Sequence, residues 1–263
     1  MLQFNNRVAL VTGAAGGIGR ALCKKYLEQG VSVALTDINE ETAAAAASGM
    51  QTFYEDVQRR FHENGGNVPV LRSYGMNIRS MDDVSRVVSA VQDDFGHIDI
   101  LVNNAGRWPA KRFLDSDEAY WTGAVDLNLN GTFRVTREVA PLMIARGYGR
   151  IINLGSIAGE VGLPGYCAYS ASKAGVIMMT KTLAMEFAKS GITVNCVSPG
   201  MVAPQDDPPT NPNPGTWLGR SGARTEIADL IVFLSSDDSG FITGVDYTID
   251  GGRILGPYNA HFE

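Results

Sequence analysis

The chain has 263 residues, of which 44% are hydrophobic and 19% are charged, and its formal net charge is -6. This length can bury a large core, no apolar run reaches the roughly 18 residues of a membrane span, and the acidic balance argues against nucleic acid or an anionic membrane as a partner. The polar N-terminus differs from a signal peptide, and three cysteines and three histidines at scattered positions suit neither a disulfide framework nor a metal site. We therefore expect a cytoplasmic protein without a bound metal.

Short apolar runs alternate with helical patterns along the whole chain. Strands are predicted, in chain order, over residues 7–12, 31–37, 68–74, 98–102, 150–154, 193–197 and 246–249. The intervening helices are predicted over residues 20–29, 39–62, 81–95, 116–145, 166–189 and 224–234. The segment 39–62 contains an alanine tract. We expect two helices there, broken near residues 48–49, because the connection is longer than one crossover helix requires.

The order of these elements predicts the fold class. Strands that are apolar on both faces and alternate with helices imply a parallel sheet covered on both sides, since crossover connections are right-handed. The expected architecture is a doubly wound, Rossmann-like α/β fold with seven strands. Nothing in the composition marks a linker, so we expect one domain over residues 1–263.

One segment, residues 203–219, breaks the alternation. Its prolines exclude a regular helix or a central strand; they are Pro204, Pro208, Pro209, Pro212 and Pro214. The segment follows the C-terminal end of a strand, where open α/β sheets bind ligands. We expect it to form a substrate lid, and the alternative is an ordinary surface loop.

A glycine-rich turn joins the first strand to the first helix. Gly13, Gly17 and Gly19 permit a tight turn and a close backbone approach to a pyrophosphate, which the N–H groups of the helix N-terminus bind. The spacing is T-G-x-x-x-G-x-G, not the common G-x-G-x-x-G. Asp37 ends the second strand, where a carboxylate can accept hydrogen bonds from the adenosine ribose.

Tyr169 and Lys173 lie four residues apart on a predicted helix, so their side chains project from one face. A tyrosine with a pKa of about 10 is a poor base near neutrality, and a nearby ammonium favours the phenolate. Ser156 precedes Tyr169 by thirteen residues. Next to a nucleotide-binding turn, this pair predicts proton transfer coupled to hydride transfer.

An ordered set of motifs over residues 7–252 resembles the short-chain dehydrogenase/reductase family. In chain order the motifs are the glycine turn, Asn104-Ala105-Gly106, Asn128 to Gly131, Ser156, Tyr169 with Lys173, and Pro199-Gly200. The match is specific for the family and weak for the substrate.

The resemblance implies a catalytic tetrad. Tyr169 would be the acid/base, and Ser156 would hydrogen-bond the substrate oxygen. Lys173 would hold the ribose and lower the tyrosine pKa, while Asn128 would anchor a water that relays protons.

The resemblance also implies the residues that bind the cofactor. They are Gly13, Gly17, Ile18, Gly19, Asp37, Ile38, Asn77, Ile78, Asn104, Ala105, Gly106, Tyr169, Lys173, Pro199, Gly200 and Val202. Asn77 replaces the aspartate that usually bonds the adenine amino group in the family, and its side-chain oxygen can still accept that bond.

The expected cofactor is NAD. In NADP-preferring members of the family a basic residue stands just before the middle glycine or just after the second strand, where this chain has Gly16 and Ile38. Asp37 would repel a 2′-phosphate. Pro204 stands where the family commonly has a threonine that bonds the nicotinamide carboxamide, which leaves that bond to the backbone of Met201 or Val202.

The implied activity is an NAD(H)-dependent interconversion of a secondary alcohol and a ketone, with oxidation as the expected direction because the cellular NAD pool is usually oxidised. Two alternatives stay open. One is a 3-oxoacyl thioester (acyl-carrier) reductase, a type that generally prefers NADPH in this family. The other is a nucleotide-binding protein with vestigial activity, suggested by Pro204.

The expected substrate pocket combines residues that follow strand ends or lie near Tyr169: Trp108, Glu160, Tyr166, Met201 and Trp217. Large aromatic rings suit a ring or an extended apolar substrate, although the same residues could serve the core or an interface. The expected partners are a small-molecule alcohol or ketone and further copies of the chain. The family is usually tetrameric, so we expect a homotetramer or a dimer.

Overall fold

The computed structural model describes residues 2, 4, 6–204 and 212–256. Its strands form one parallel sheet: β1 Val8–Val11, β2 Ser32–Asp37, β3 Leu71–Gly75, β4 Ile100–Asn103, β5 Gly149–Leu154, β6 Ile192–Pro199 and β7 Asp246–Ile249. The strand order is β3-β2-β1-β4-β5-β6-β7. The predicted doubly wound sheet of seven parallel strands is confirmed. Residues 205–211 of the expected lid, and His261, lie outside the described residues.

The α-helices are α1 Gly17–Glu28, α2 Glu40–Ser48, α3 Gln51–Glu63, α4 Met81–Phe95, α5 Glu118–Val125, α6 Gly131–Arg146, α7 Ile157–Glu160, α8 Cys167–Phe187 and α9 Arg224–Ser235. The predicted break in segment 39–62 is present between α2 and α3. Sequence periodicity did not predict α7, because four residues are too few to show a helical repeat.

Helices cover both faces of the sheet because alternate strand residues point to opposite sides. Ala9 and Val11 of β1 belong to one core with the inner faces of α1 and α9. Leu10 belongs to the other, with the inner faces of α4 and α6. Each fully buried leucine, isoleucine or valine stabilises this packing by about 1.5–3 kcal/mol.

The predicted helical stretch over residues 116–145 is present and contains an interruption. A π-helical turn, Asp126–Asn130, separates α5 from α6. A π turn is a single turn inside an α-helix, and its five residues are too few to show a period of their own. The third strand also begins later than predicted, at Leu71, just after Pro69, which has no N–H to donate to a strand.

No helix in the described part of the chain is both long and apolar enough to cross a bilayer. Among the same residues, no cluster of histidine, cysteine or acidic side chains could hold a metal ion.

A buried carboxylate fixes the amino-terminal edge of the sheet. Asp99 precedes β4, and its side chain is 1% exposed. It accepts hydrogen bonds from the backbone N–H of Val8 at 3.0 Å and from Arg7 at 3.4 Å, and it contacts His97 at 3.1 Å. The Arg7 guanidinium also stacks over the Tyr148 ring, 3.5 Å from its centroid. These contacts join the starts of β1 and β4.

We expect Asp99→Ala to lower the free energy of unfolding by about 3 kcal/mol, because it leaves the buried N–H of Val8 without its acceptor and removes one of the two carboxylates that pair with Arg7. Urea unfolding followed by circular dichroism measures the change. The matched control is Asp93→Ala, which removes an exposed carboxylate from α4 and should change stability by about 0.5 kcal/mol or less. Equal stability of the two variants would contradict a structural role for Asp99.

Candidate active site

The carboxyl ends of the parallel strands open into a cavity of about 770 Å³. Every residue predicted to bind the cofactor lines it, from the glycine turn to Val202, and so does Ser156. The volume and the lining, which includes the glycine turn and the N-terminus of α1, suit a dinucleotide. The residues present therefore fit a nicotinamide cofactor, although their individual roles stay predictions.

The glycine turn is shaped by close contacts that exclude any side chain. Gly13 has a φ of +60°, and a Cβ on it would lie 2.7 Å from the Cα of Ala105. A Cβ on Gly19 would lie 2.6 Å from the Cα of Ala14. These two glycines let α1 begin directly against the ends of β1 and β4, with its N-terminal N–H groups at the cavity.

Asn104 and Thr12 brace this turn. The Thr12 hydroxyl accepts hydrogen bonds from the backbone N–H groups of Asn104 and Ala105, both at 3.0 Å. The Asn104 amide donates to the carbonyls of Thr12 at 2.8 Å and Gly13 at 2.9 Å. The Asn104 side chain therefore holds the loop in position. The sequence analysis did not single out Thr12.

Asp37 lies at the end of β2 with its carboxylate at the cavity. It accepts hydrogen bonds from the backbone N–H of Ala15 at 2.9 Å and of Ile38 at 2.8 Å. These bonds orient the side chain towards the glycine turn. Asn77 is also held locally, because its side-chain oxygen accepts from the N–H of Arg79 at 3.1 Å.

Tyr169 and Lys173 occupy successive turns of α8, as the spacing predicted. The Lys173 ammonium lies 5.8 Å from the centroid of the Tyr169 ring and donates to the carbonyl of Leu154 at 2.6 Å. Ser156 lies beside the Tyr169 side chain and lowers its pKa. The Ser156 hydroxyl accepts a hydrogen bond from the N–H of Ala158 at 3.1 Å, which caps α7. The short helix α7 thus fixes Ser156 beside the tyrosine.

Burial controls the protonation of this pair. It raises the pKa of the Tyr169 phenol, and the hydrogen bond with Ser156 lowers it in part. Burial also lowers the pKa of Lys173 to about 8. Burial is the largest cause of the shift of Tyr169, and the expectation that Lys173 lowers the tyrosine pKa stays a prediction. Both groups lose their hydration in this cleft, while the ammonium bonds to the Leu154 carbonyl.

Asn128 lies in the π-helical turn and is fully buried. Its amide donates to the carbonyl of Ala124 at 2.9 Å, while its side-chain oxygen has no partner in the protein. Such an oxygen calls for a water or a ligand group, which agrees with the expected water anchor. A Cβ on Gly106 would lie 2.6 Å from this oxygen and 3.2 Å from the Lys173 nitrogen. Gly106 therefore keeps the space between the two groups open.

The residues expected to form the substrate pocket do not line this cavity. Trp108, Tyr166, Met201 and Trp217 are absent from the cavity lining. The Trp108 ring packs against the Cα of Gly123 and against Tyr120, with ring centroids 5.5 Å apart. Tyr166 alone meets the tetrad, with its ring 6.2 Å from that of Tyr169.

The other expected pocket residues have different surroundings. Trp217 lies beside Gly252, and Met201 is 51% exposed. Glu160 accepts a hydrogen bond from the Thr248 hydroxyl at 2.7 Å. The packing of helices and loops sets the positions of these side chains. The number of residues between a side chain and the end of a strand does not predict that packing.

Arg224 is a lining residue that the sequence analysis missed. It begins α9, some 200 residues after the glycine turn that it contacts. No local motif signals that proximity.

The chain is similar to known proteins over nearly its whole length. A family model described as short chain dehydrogenase matches residues 7–213. The acetoacetyl-CoA reductase of Allochromatium vinosum is 38% identical over 95% of this chain and 99% of its own length. The 3-oxoacyl-[acyl-carrier-protein] reductase FabG of Thermotoga maritima is 36% identical over 97% of this chain and 100% of its own length. The crystal structure of gox2181 has a TM-score of 0.82 and 30% identity, over 97% of this chain and 98% of that one.

The buried Lys173 predicts a pH dependence of stability. Its pKa is about 8 in the folded chain, against 10.5 for an ordinary lysine. Between these values the unfolded chain binds more protons, so this residue makes the free energy of unfolding rise with pH. In urea titrations, the stability of the wild type relative to Lys173→Met should therefore increase from pH 8 to pH 10.5.

The control is Lys181→Met, which removes an exposed lysine from the same helix. Its stability relative to the wild type should stay level over that range. A level difference for Lys173→Met as well would show that the ammonium is hydrated in the folded protein.

Proposed function

Because the chain belongs to the short-chain dehydrogenase/reductase family, we propose that it is an NAD(H)-dependent oxidoreductase that interconverts 3-hydroxyacyl and 3-oxoacyl thioesters. The family assignment rests on the match over residues 7–213 and on relatives more than 30% identical over their full length. A nicotinamide cofactor and oxidoreductase chemistry follow from the family. The thioester substrate and the choice of NAD are the proposal.

The observation that carries the proposed chemistry is the shared position of Tyr169, Ser156 and Lys173 on the wall of the same cavity as the glycine turn. A hydroxyl group held by Ser156 would lie beside Tyr169, because Ser156 is close enough to Tyr169 to lower the pKa of its phenol and both residues line the cavity. The reacting carbon can then face the cofactor groove while the oxygen faces the acid/base.

When bound, the nicotinamide accepts or supplies the hydride. In the oxidative direction Tyr169 takes the proton of the substrate hydroxyl as the carbonyl forms, and in the reductive direction it returns that proton. Lys173 keeps positive charge near the phenolate, which stabilises it. The buried side-chain oxygen of Asn128 accepts a hydrogen bond from a water. That water occupies the space between Asn128 and Lys173 that Gly106 leaves open.

Two relatives support a thioester substrate over a simple alcohol. Acetoacetyl-CoA and 3-oxoacyl-[acyl-carrier-protein] both carry a ketone at C3 of an acyl thioester, so the expected secondary alcohol becomes a 3-hydroxyl group. Cations on the segment after β4 also suit a phosphate-bearing carrier. Arg107 lines the cavity, and Lys111 and Arg112 follow it.

Asp37 supports NAD as the cofactor. Its carboxylate is held beside the glycine turn by the N–H groups of Ala15 and Ile38. A 2′-phosphate near this charge would be repelled. The predicted homotetramer and the cytoplasmic location remain predictions, and so does the oxidative direction.

The activity is tested with acetoacetyl-CoA and NADH, with 3-hydroxybutyryl-CoA and NAD in the reverse direction, and with a panel of simple secondary alcohols. We expect the thioesters to give the highest kcat/KM. Tyr169→Phe should lower that value about 10³-fold, the range of general acid–base catalysis.

Tyr54→Phe is the matched control for Tyr169→Phe, because its hydroxyl donates to the carbonyl of Pro69, away from the cavity. It should leave kcat unchanged. Turnover of simple alcohols only would favour a general alcohol dehydrogenase. Cofactor binding without any turnover would favour a vestigial enzyme.

The cofactor choice is tested by Asp37→Ser, which removes the charge that opposes a 2′-phosphate. We expect the wild type to prefer NADH over NADPH, and the variant to shift the ratio of kcat/KM towards NADPH about a hundredfold. Glu63→Gln removes an exposed carboxylate from the end of α3 and should leave the ratio unchanged. A wild type that prefers NADPH would refute the role given to Asp37.

A further inference from the structure

Arg224 is placed at the cofactor groove by the packing of α9 against α1. Ile227 and Leu22 belong to the same buried core, and Lys25 of α1 forms an ion pair with Asp229 of α9 at 2.7 Å. Arg224 is the first residue of α9, and it lines the cavity together with Gly17. Its backbone position is therefore set by the core and not by a mobile surface loop.

The Arg224 side chain covers the first residue of α1. A Cβ on Gly17 would lie 2.5 Å from the Cζ of Arg224 and 2.8 Å from its Cδ. Any side chain at position 17 would displace the guanidinium. In contrast, the constraint on Gly13 and Gly19 comes from backbone atoms. In this turn, Gly17 therefore leaves the space that the Arg224 guanidinium occupies.

The position of this cation matters because α1 begins at the same place. The N-terminus of a helix carries partial positive charge on its N–H groups, and the first turn of α1 contains no acidic residue that would neutralise it. Lys173, another cation on the cavity wall, is bonded to the carbonyl of Leu154. Arg224 is the cation of the cavity wall that lies against Gly17, the first residue of α1.

We propose that Arg224 binds the diphosphate of the dinucleotide together with the N-terminus of α1. The inference rests on the proposed function, because it requires a dinucleotide in this cavity. Hydrogen bonds from a guanidinium to phosphate oxygens are charge-assisted and shorter than neutral ones. The glycine turn supplies backbone donors for the diphosphate, and Arg224 supplies the opposite charge.

The same side chain connects the cofactor groove to the expected lid. Arg224 donates a hydrogen bond to the backbone carbonyl of Pro204, the second residue of that segment. A guanidinium has five N–H donors in a planar fork, so it can hold this carbonyl and a phosphate oxygen together. Arg224 thereby links the diphosphate site to the segment in which Pro204 replaces a hydroxyl-bearing residue.

The test compares Arg224→Met with the wild type by calorimetry, using NADH and ADP-ribose, and with adenosine by NMR titration. ADP-ribose contains the diphosphate without the nicotinamide, and adenosine contains neither. We expect the Kd for NADH and ADP-ribose to rise tenfold to a hundredfold, with the Kd for adenosine unchanged. Arg137→Met removes an exposed arginine from α6 and should leave all three values unchanged.

Arg224→Gln is the second variant. It removes the charge but retains an N–H donor. The same binding measurements are made on it if Arg224→Met does not fold. Unchanged binding of ADP-ribose by a folded Arg224 variant would overturn this inference alone. An equal loss of adenosine binding would also overturn it, since that result indicates a general distortion of the cleft. A wild type that binds neither NADH nor ADP-ribose would overturn the proposed function as well.

Discussion

Parallel pairing of all seven strands is the constraint on which the rest of the structure depends. In register, Val11 of β1 lies beside Val102 of β4, and Val102 lies beside Ile152 of β5. The carboxyl ends of these strands therefore meet at one edge, where each chain segment turns away into a helix or a loop. The glycine turn and the segments that carry Gly106 and Ser156 all follow from that edge. Residues distant in sequence share one cavity for this reason.

Several polar groups on or beside the cavity wall are buried and have lost their contact with solvent. Lys173 is 3% exposed, and Asn128 is completely buried. The hydrogen bond to the carbonyl of Leu154 offsets part of the free-energy cost of burying the Lys173 ammonium. The side-chain oxygen of Asn128 accepts no hydrogen bond from the described part of the protein. Such groups respond strongly to a ligand because their interactions are not screened by solvent. A cofactor and a substrate that enter the cleft would therefore change the protonation of Tyr169 and Lys173 together.

Several features of the site have a structural and a chemical role at once. Ser156 caps α7 and lowers the pKa of Tyr169, so the short helix and the proposed acid/base depend on one hydroxyl. Asn104 contributes its amide to the glycine turn instead of pointing freely at the cofactor. The π-helical turn directs Asn128 inwards between α5 and α6. The positions of these side chains are therefore set by the same packing and hydrogen bonds that stabilise the fold.

The sequence by itself determined the doubly wound sheet, because buried parallel strands and amphipathic helices have different apolar periods. It also identified many of the residues that meet at the cofactor cleft, because the glycine turn, Asp37 and the pair Tyr169 and Lys173 are local patterns attached to strand ends or to one helix face. Tertiary structure alone decided the rest. The π turn is too short to show a period of its own. The pKa of Tyr169 depends on burial by distant segments, and the surroundings of Trp108 depend on a helical glycine. Arg224 reaches Gly17 only because α9 packs beside α1, which is a contact between distant parts of the chain that no local pattern encodes.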